Sequence, residues 1–396
     1  MTRIVVFLLA AVALFGVAPG SAQTPIRLAW NPSGGDTQGY RIYYGTASNQ
    51  YSSFIDVGNT TTASFIPPVP NRIYYLTVRA YNSLGLSNPS NEAAAWVGVI
   101  WRTPSLLGMG DFDGDGRADP MVYRGTTGEW FASKSGGGLA QVSWGAPTMG
   151  DVPVPADYDG DDKSDYAVYR GTTGQWFLNQ SSAGGTTLSW GAPSFQDIPV
   201  PKDYDGDGKD DVAVYRRATG QWFIRQSGNG QPRNVTWGAS GNDDVPVPGD
   251  YNGNGLADVA VYRRSTGQWF VLFDNGTTVT WSWGAQSFAD VPVPADYDGD
   301  GLCDIGIFRL SSGTWIVHLS TNGSRTLVWG APSLGDVPIP ADYDGDGKAD
   351  VAVFRASTAT WYIAYAAGGS ATFSFGASSL GDTVGGVQET AIVPLQ

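Results

Sequence analysis

Asp111-Phe112-Asp113-Gly114-Asp115-Gly116-Arg117-Ala118-Asp119 returns five more times, beginning at Asp157, Asp203, Asp250, Asp296 and Asp342. Successive starts lie 46, 46, 47, 46 and 46 residues apart, and every copy has the form D-x-D/N-G-D/N-x-x-x-D. Acidic or amide side chains at positions 1, 3, 5 and 9 can converge on one hard cation. Glycine at position 4, usually joined by glycine at 6, lets the backbone turn tightly around it. An all-oxygen set without His or Cys points to calcium over zinc or copper. A helical EF-hand loop needs an oxygen ligand at position 12. Here that position holds Val122, Val168, Val214, Val261, Ile307 and Val353, so the helical loop is rejected.

Each loop leads into a segment such as Asp211-Val-Ala-Val-Tyr215, rich in β-branched and aromatic residues, which reads as a strand. The third repeat divides into four strand-like pieces: Ile198 to Asp203, Val212 to Arg216, Gln221 to Gln226 and Val235 to Gly238. The one extra residue of the 47-residue step falls in the turn beside Ser227-Gly-Asn-Gly230, where independent blades tolerate insertion. Four strands per period is the arithmetic of a β-propeller.

On these motifs the chain from about 98 to 380 resembles the FG-GAP (integrin-α-like, VCBS-type) family of calcium-loop propeller repeats. The resemblance implies one structural Ca2+ per blade, about six in all, held in the hairpin between the first two strands. Carried over by position, the side-chain ligands are Asp111, Asp113, Asp115 and Asp119; Asp157, Asp159, Asp161 and Asp165; and Asp203, Asp205, Asp207 and Asp211. The later loops supply Asp250, Asn252, Asn254 and Asp258; Asp296, Asp298, Asp300 and Asp304; and Asp342, Asp344, Asp346 and Asp350. Backbone carbonyls would come from position 7, which is Arg117, Lys163, Lys209, Leu256, Leu302 and Lys348. Asn252 and Asn254 weaken the fourth loop by two charges, and Asp162 stands where most copies have glycine at position 6.

Three further tracks recur once per repeat. Two are aromatic: Trp130, Trp176, Trp222, Trp269, Trp315 and Trp361, then Trp144, Trp190, Trp237, Trp283, Trp329 and Phe375. Once-per-blade aromatics read first as packing, with a sugar-stacking ring as the alternative. The third track is Arg124, Arg170, Arg216, Arg263, Arg309 and Arg355, read as capping a strand end or binding a carbonyl of the next blade, with a face that binds acidic polysaccharide as the alternative. Six motifs argue for six four-stranded blades, with seven as the alternative. A strand over Ala391 to Leu395, beside Val99-Ile-Trp101, is expected to close the ring.

Ahead of the repeats, residues 24–97 lack the 46-residue period. Ile26-Arg-Leu-Ala-Trp30, Tyr40-Arg-Ile-Tyr-Tyr44 and Tyr74 to Tyr81 alternate between turn-rich stretches, as in a β-sandwich of short strands. With Leu28, Trp30, Pro32, Ala80, Asn82, Gly85 and Ser87 in place, this segment resembles a fibronectin type III domain. Its Trp and Tyr residues read as core. The fold expected for the whole chain is all-β: a small fibronectin type III-like sandwich followed by a propeller over 98–396.

Residues 1–22 read as a secretory signal peptide, with Arg3, an apolar run from Ile4 to Val17 and Gly20-Ser21-Ala22. No later apolar run is long enough to span a bilayer. The protein is therefore expected to be exported, with no membrane insertion, and to be a monomer. Its one cysteine, Cys303, cannot form an internal disulfide, and bound metal is the natural substitute.

The formal net charge is -14. Twenty-two aspartates occupy ligand positions, so six divalent cations, with Arg3 removed, would leave about -3. The acidity reads as coordination rather than a steering field, and without a basic run nucleic acid is not a partner. The sole histidine, His318, has no positioned nucleophile, there is no P-loop, and few carboxylates such as Glu129 stand outside the loops. The reading is non-enzymatic: an extracellular protein for adhesion to or recognition of a glycan or protein surface. A polysaccharide-lyase-like enzyme or accessory module, and a passive envelope or matrix element, are the alternatives.

Overall fold

The computed structural model describes residues 6–9, 26–34, 36–45, 49–65, 72–97, 110–195, 197–239, 242–285, 288, 290–321, 323–384 and 393–395. Strands joined by turns and short 3-10 segments make up these residues, with no α-helix among them. The chain forms two compact units, Met1–Ile100 with Gln388–Gln396, and Trp101–Val387.

The first unit has two sheets. One is β1 (Val6–Leu9), β2 (Ile26–Trp30) and β5 (Thr62–Phe65); the other is built on β3 (Gly39–Gly45), β4 (Ser53–Gly58), β6 (Arg72–Asn82) and β8 (Ala93–Val97), with β7 (Gly85–Leu86) paired to β6. Alternation along β3 and β6 sends Tyr40, Ile42, Tyr74, Leu76 and Val78 inward against Leu28, Trp30 and Phe65. Two strands depart from expectation. Val6–Leu9 lies within the stretch read as a signal peptide, yet pairs antiparallel with β2, its Val-Phe-Leu-Leu run matching a strand edge. Val393–Leu395 does not close the propeller. It pairs with β8 as the outermost strand of the second sheet.

The second unit contains six four-stranded antiparallel sheets. The second of them is typical: β12 (Asp151–Pro153), β13 (Tyr166–Arg170), β14 (Gln175–Gln180) and β15 (Gly184–Ser189) pair in chain order. Burial changes strand by strand. Equivalents of β13, such as Val259–Arg263, are buried on both faces up to the arginine; those of β14 alternate; the outermost alternate between exposed and half-buried. This is the gradient of a blade wedged between neighbours at its inner edge and open to water at its rim.

The first sheet is completed from the far end of the chain. Asp382–Thr383 pairs with β9 (Met121–Arg124), which continues through β10 (Glu129–Ser133) to β11 (Leu139–Ser143). Asp382 wins this place over the more apolar Val393-Pro-Leu395 because it carries the partner that Arg124 requires, as shown below. The expected entry segment Val99-Ile-Trp101 lies outside the described residues.

Candidate metal loops and the ring that holds them

Each loop is organised by its first aspartate. Asp111 accepts the backbone N–H of Gly114 on one carboxylate oxygen at 2.6 Å and that of Gly116 on the other at 2.7 Å. The same pair of bonds recurs in the other five loops, with Asp162 donating in place of glycine in the second. Asp162 reaches this position with φ 62°, the left-handed region that glycine occupies elsewhere.

The ninth-position carboxylate ties the loop to its own blade. In the first loop Asp119 accepts from Phe112 N–H on one oxygen and from Ser135 N–H, in the turn between β10 and β11, on the other. All six ninth-position aspartates are buried to 1 % exposure or less. Burial pushes the carboxyls of Asp165, Asp211, Asp304 and Asp350 up to about 6 and that of Asp258 to about 7; Asp119 moves the same way.

Position 3 supplies the observation that points to a cation. The Oδ1 atoms of Asp113, Asp159, Asp205 and Asp298 are buried and have no hydrogen-bond donor, an expensive state for a carboxylate unless a cation faces it. Ligand oxygens gather within 4.8 Å of one another in five loops: Asp111, Asp113 and Asp115; Asp157, Asp159 and Asp165; Asp203, Asp205 and Asp211; Asp296, Asp298 and Asp300; Asp342, Asp344 and Asp350. An oxygen-only set with orphaned carboxylate atoms fits a hard divalent ion.

The fourth loop is arranged differently. Asn252 donates its amide to Asp258 at 3.2 Å, and Asn254 donates to Asp274 at 2.8 Å. Asp274 occupies the place of Ser135, Ser181, Ser227 and Ser320 in other repeats. This loop therefore satisfies itself with amide hydrogens where four of the others leave a carboxylate oxygen bare.

Apart from Arg117, whose guanidinium also pairs with Asp115 of its own loop at 3.3 Å, the seventh-position side chains lie over the preceding loop rather than their own. Arg117 lies over Gly345, Lys163 over Gly114, Lys209 over Gly160, Leu256 over Gly206, Leu302 over Gly253 and Lys348 over Gly299. Each would meet a Cβ on the fourth-position glycine of the preceding loop at 3.2 Å or less, which gives that glycine a second, steric reason. For these six residues only the backbone carbonyl is left as a candidate ligand.

Neighbouring loops are joined through their backbones. The eighth-position N–H of Ser164 donates to the carbonyl of Asp111, and Asp210, Ala257, Cys303 and Ala349 repeat this onto Asp157, Asp203, Asp250 and Asp296. Ala118 then donates to Asp342 at 2.7 Å, returning the sixth loop to the first. Six loops thus form one closed circuit of hydrogen bonds. Cys303 is a half-buried filler in this circuit, packed against Gly249, and burial pushes its thiol up to about 12.

The recurrent tracks are structural. Trp130 and its five counterparts are fully buried and donate their indole N–H to a carbonyl of the same sheet. Trp144, Trp190, Trp237, Trp283 and Trp329 donate across to the next sheet at 2.9 to 3.1 Å. Phe375, sixth in that track, has no N–H to give.

Each arginine of the third track grips a buried aspartate at the head of an inner strand: Asp382, Asp151, Asp197, Asp244, Asp290 and Asp336 take both Nε and Nη2 at 2.6 to 3.0 Å. The same aspartates accept a backbone N–H from the alanine five residues earlier. Among the described residues the arginines do not reach the next blade's carbonyls, and the Nε–Nη2 fork of each is filled by its aspartate. These aspartates were missed in the sequence, although one lies 19 residues before its arginine in five repeats.

Residues weighed for catalysis are also occupied. His318 bonds Gly323 and lies against Trp283, while Glu129 holds Thr127, Gln141 and Arg124 at the surface.

Comparison with known families matches residues 203–261 to an FG-GAP-like repeat and residues 11–96 to a fibronectin type III domain. The chain carries both. The fibronectin type III match begins before the expected start at 24, within the stretch read as a leader. No curated protein matches. Solved structures that resemble the chain include a streptogramin B lyase, at 7 % identity and TM-score 0.47, covering 75 % of this chain and 95 % of that one. Virginiamycin B lyase from Staphylococcus aureus follows at 6 % and 0.42, covering 64 % and 79 %. An auxiliary nutrient binding protein from Bacteroides ovatus gives 10 % and 0.34, covering 94 % and 95 %.

Proposed function

We propose that this chain is a secreted, non-enzymatic recognition protein whose FG-GAP-like loops bind calcium as a structural element. One observation carries the reading: the orphaned third-position carboxylate oxygens sit in loops that are themselves links of the closed circuit. A cation bound there holds neighbouring blades in register. Calcium would be held by the side chains at positions 1, 3, 5 and 9 and the seventh-position carbonyl. Its role is charge neutralisation and loop closure, leaving the protein surface free for a glycan or protein partner outside the cell. The polar groups weighed for catalysis being engaged in the fold favours recognition over turnover. Among the described residues no helix is long and apolar enough to cross a membrane.

Two measurements test this. Metal analysis of the dialysed protein should find about five or six calcium ions per chain, the fourth loop being the weak one. Binding to a broad glycan and protein panel, run in calcium and in chelator, should show retention only in calcium. A metal-free protein with an unchanged melting curve in chelator would sink the calcium assignment.

A further inference from the structure

The outer face of the β3–β4–β6 sheet carries a ladder that the core does not need. Arg41, Tyr43, Phe54, Asp56, Arg79 and Tyr81 all point away from the buried side of that sheet, since their neighbours Tyr40, Ile42, Val78 and Ala80 fill the core. Their rings and guanidinium groups interleave. Arg41 lies between Phe54 and Tyr81 at 4.8 and 4.9 Å, Phe54 meets Tyr43 at 5.3 Å, and Arg79 lies over Tyr43 at 5.8 Å. Phe54 remains 49 % exposed. Tyr43 and Tyr81 are half-buried in the ladder, so Phe54 is the ring it offers to solvent.

The two arginines differ in what they hold. Arg41 is neutralised by Asp56 at 3.1 Å, and Asp56 also accepts from the Tyr81 hydroxyl. Arg79 spends only its Nε, on the carbonyl of Ser87 at 2.7 Å. Its terminal nitrogens have no carboxylate among the described residues. Charge sharpens the contrast: residues 24–97 contain four arginines against three carboxylates, in a chain of net charge -14. On this face two arginines stand against Asp56, and the Arg79 guanidinium is a planar cation set to accept an anion on its fork.

We propose that this face binds an acidic polysaccharide, with uronate carboxylates on Arg79 and a sugar ring packed on the exposed ring of Phe54. This rests on the reading of the chain as a recognition protein and moves the contact from the propeller to the fibronectin type III domain. An exposed ring beside a fork donor suits a repeating anionic ligand that offers an apolar sugar face next to each carboxylate. An acidic protein segment is the competing occupant.

The test is titration of the full-length protein, in calcium, with a soluble oligogalacturonate and with its methyl-esterified form. The acid form should bind, and esterification, Arg79→Gln and Phe54→Ser should each weaken binding by about tenfold or more, with affinity falling as salt rises. Phe54→Ser removes an exposed ring and guards against loss of fold in Arg79→Gln; the melting curve in calcium checks both. Equal binding of acid and ester overturns the charge argument. Binding of the acid form untouched by both substitutions overturns this surface while leaving glycan recognition standing. If the wild type binds neither form but is retained elsewhere on the panel, the proposed ligand is wrong and the recognition reading survives; an acidic peptide that needs Arg79 would identify the competing occupant.

Discussion

The two units of this chain are stabilised by different physics. The fibronectin type III sandwich holds itself with a conventional apolar core of Leu28, Trp30, Tyr40, Ile42, Phe65 and their neighbours. The ring of FG-GAP-like repeats also buries apolar strands, but its joints are polar: backbone bonds between loops, indole bonds between sheets and six buried Arg–Asp forks. Apolar packing is insensitive to metal and nearly so to pH. A polar joint depends on the charge state and occupancy of every member.

Removing calcium should break the comparison most sharply. In chelator the ring's melting transition should fall by more than about 10 °C, since a site at a thousand times its Kd contributes about 4 kcal/mol and six loops contribute together. The sandwich transition should stay within about 2 °C of its place. Calorimetry with the two transitions resolved decides this, and equal shifts would contradict it.

Next in size is the loss of one fork. Asp244→Ala leaves the Arg263 guanidinium half-buried without its partner and should cost the ring about 3–5 kcal/mol in a denaturant titration with calcium present. Breaking an exposed pair such as Arg41–Asp56 should leave the denaturant midpoint nearly where it was.

Acidity should then act in opposite directions with and without metal. In the metal-free ring, burial raises the carboxyls of Asp165, Asp211, Asp304 and Asp350 to about 6 and that of Asp258 to about 7. The native state then holds more protons than the unfolded chain from about pH 4 upward, so stability falls as pH rises through 6 to 7. In chelator the ring should melt at a higher temperature at pH 5 than at pH 7.5. With calcium the ligands must ionise to bind, and the order should invert.

The smallest effects sharpen one junction. At the sixth, Phe375 replaces tryptophan, and Ala359 sits at φ 50° where the other repeats place glycine. Ala359→Gly should stabilise the ring by about 1 kcal/mol by relieving left-handed strain. Phe375→Trp should contribute about 1 kcal/mol by supplying an indole N–H to the next sheet. Matching changes at the other junctions, such as Trp237→Phe, should cost a similar amount.

Repetition made most of this legible. Six spaced loops marked the candidate ligand positions, and tracks of Trp and Arg showed that something recurs at every junction. What the track residues touch was harder to read. Asp151 and its counterparts are single acids in a chain crowded with acids, and only their fixed distance from an arginine marks them. The closing strand was misplaced because Val393-Pro-Leu395 is the more strand-like tripeptide, whereas Asp382 is chosen by one charged contact made across 258 residues. In the sandwich, tyrosine was read as core throughout. Tyr43 shares its side of β3 with Arg41, and that parity places it outside.

Five of the six sheets are made from consecutive chain, but the first borrows its inner strand from Asp382–Thr383. That loan sets a clock. During synthesis the first blade waits, one edge unpaired, until Asp382 has emerged, and Arg124 stays without its carboxylate for as long. Long-range closure of this kind is slow. The ring therefore behaves as a circle fastened by a single late clasp, and its last event of assembly is its first line of weakness.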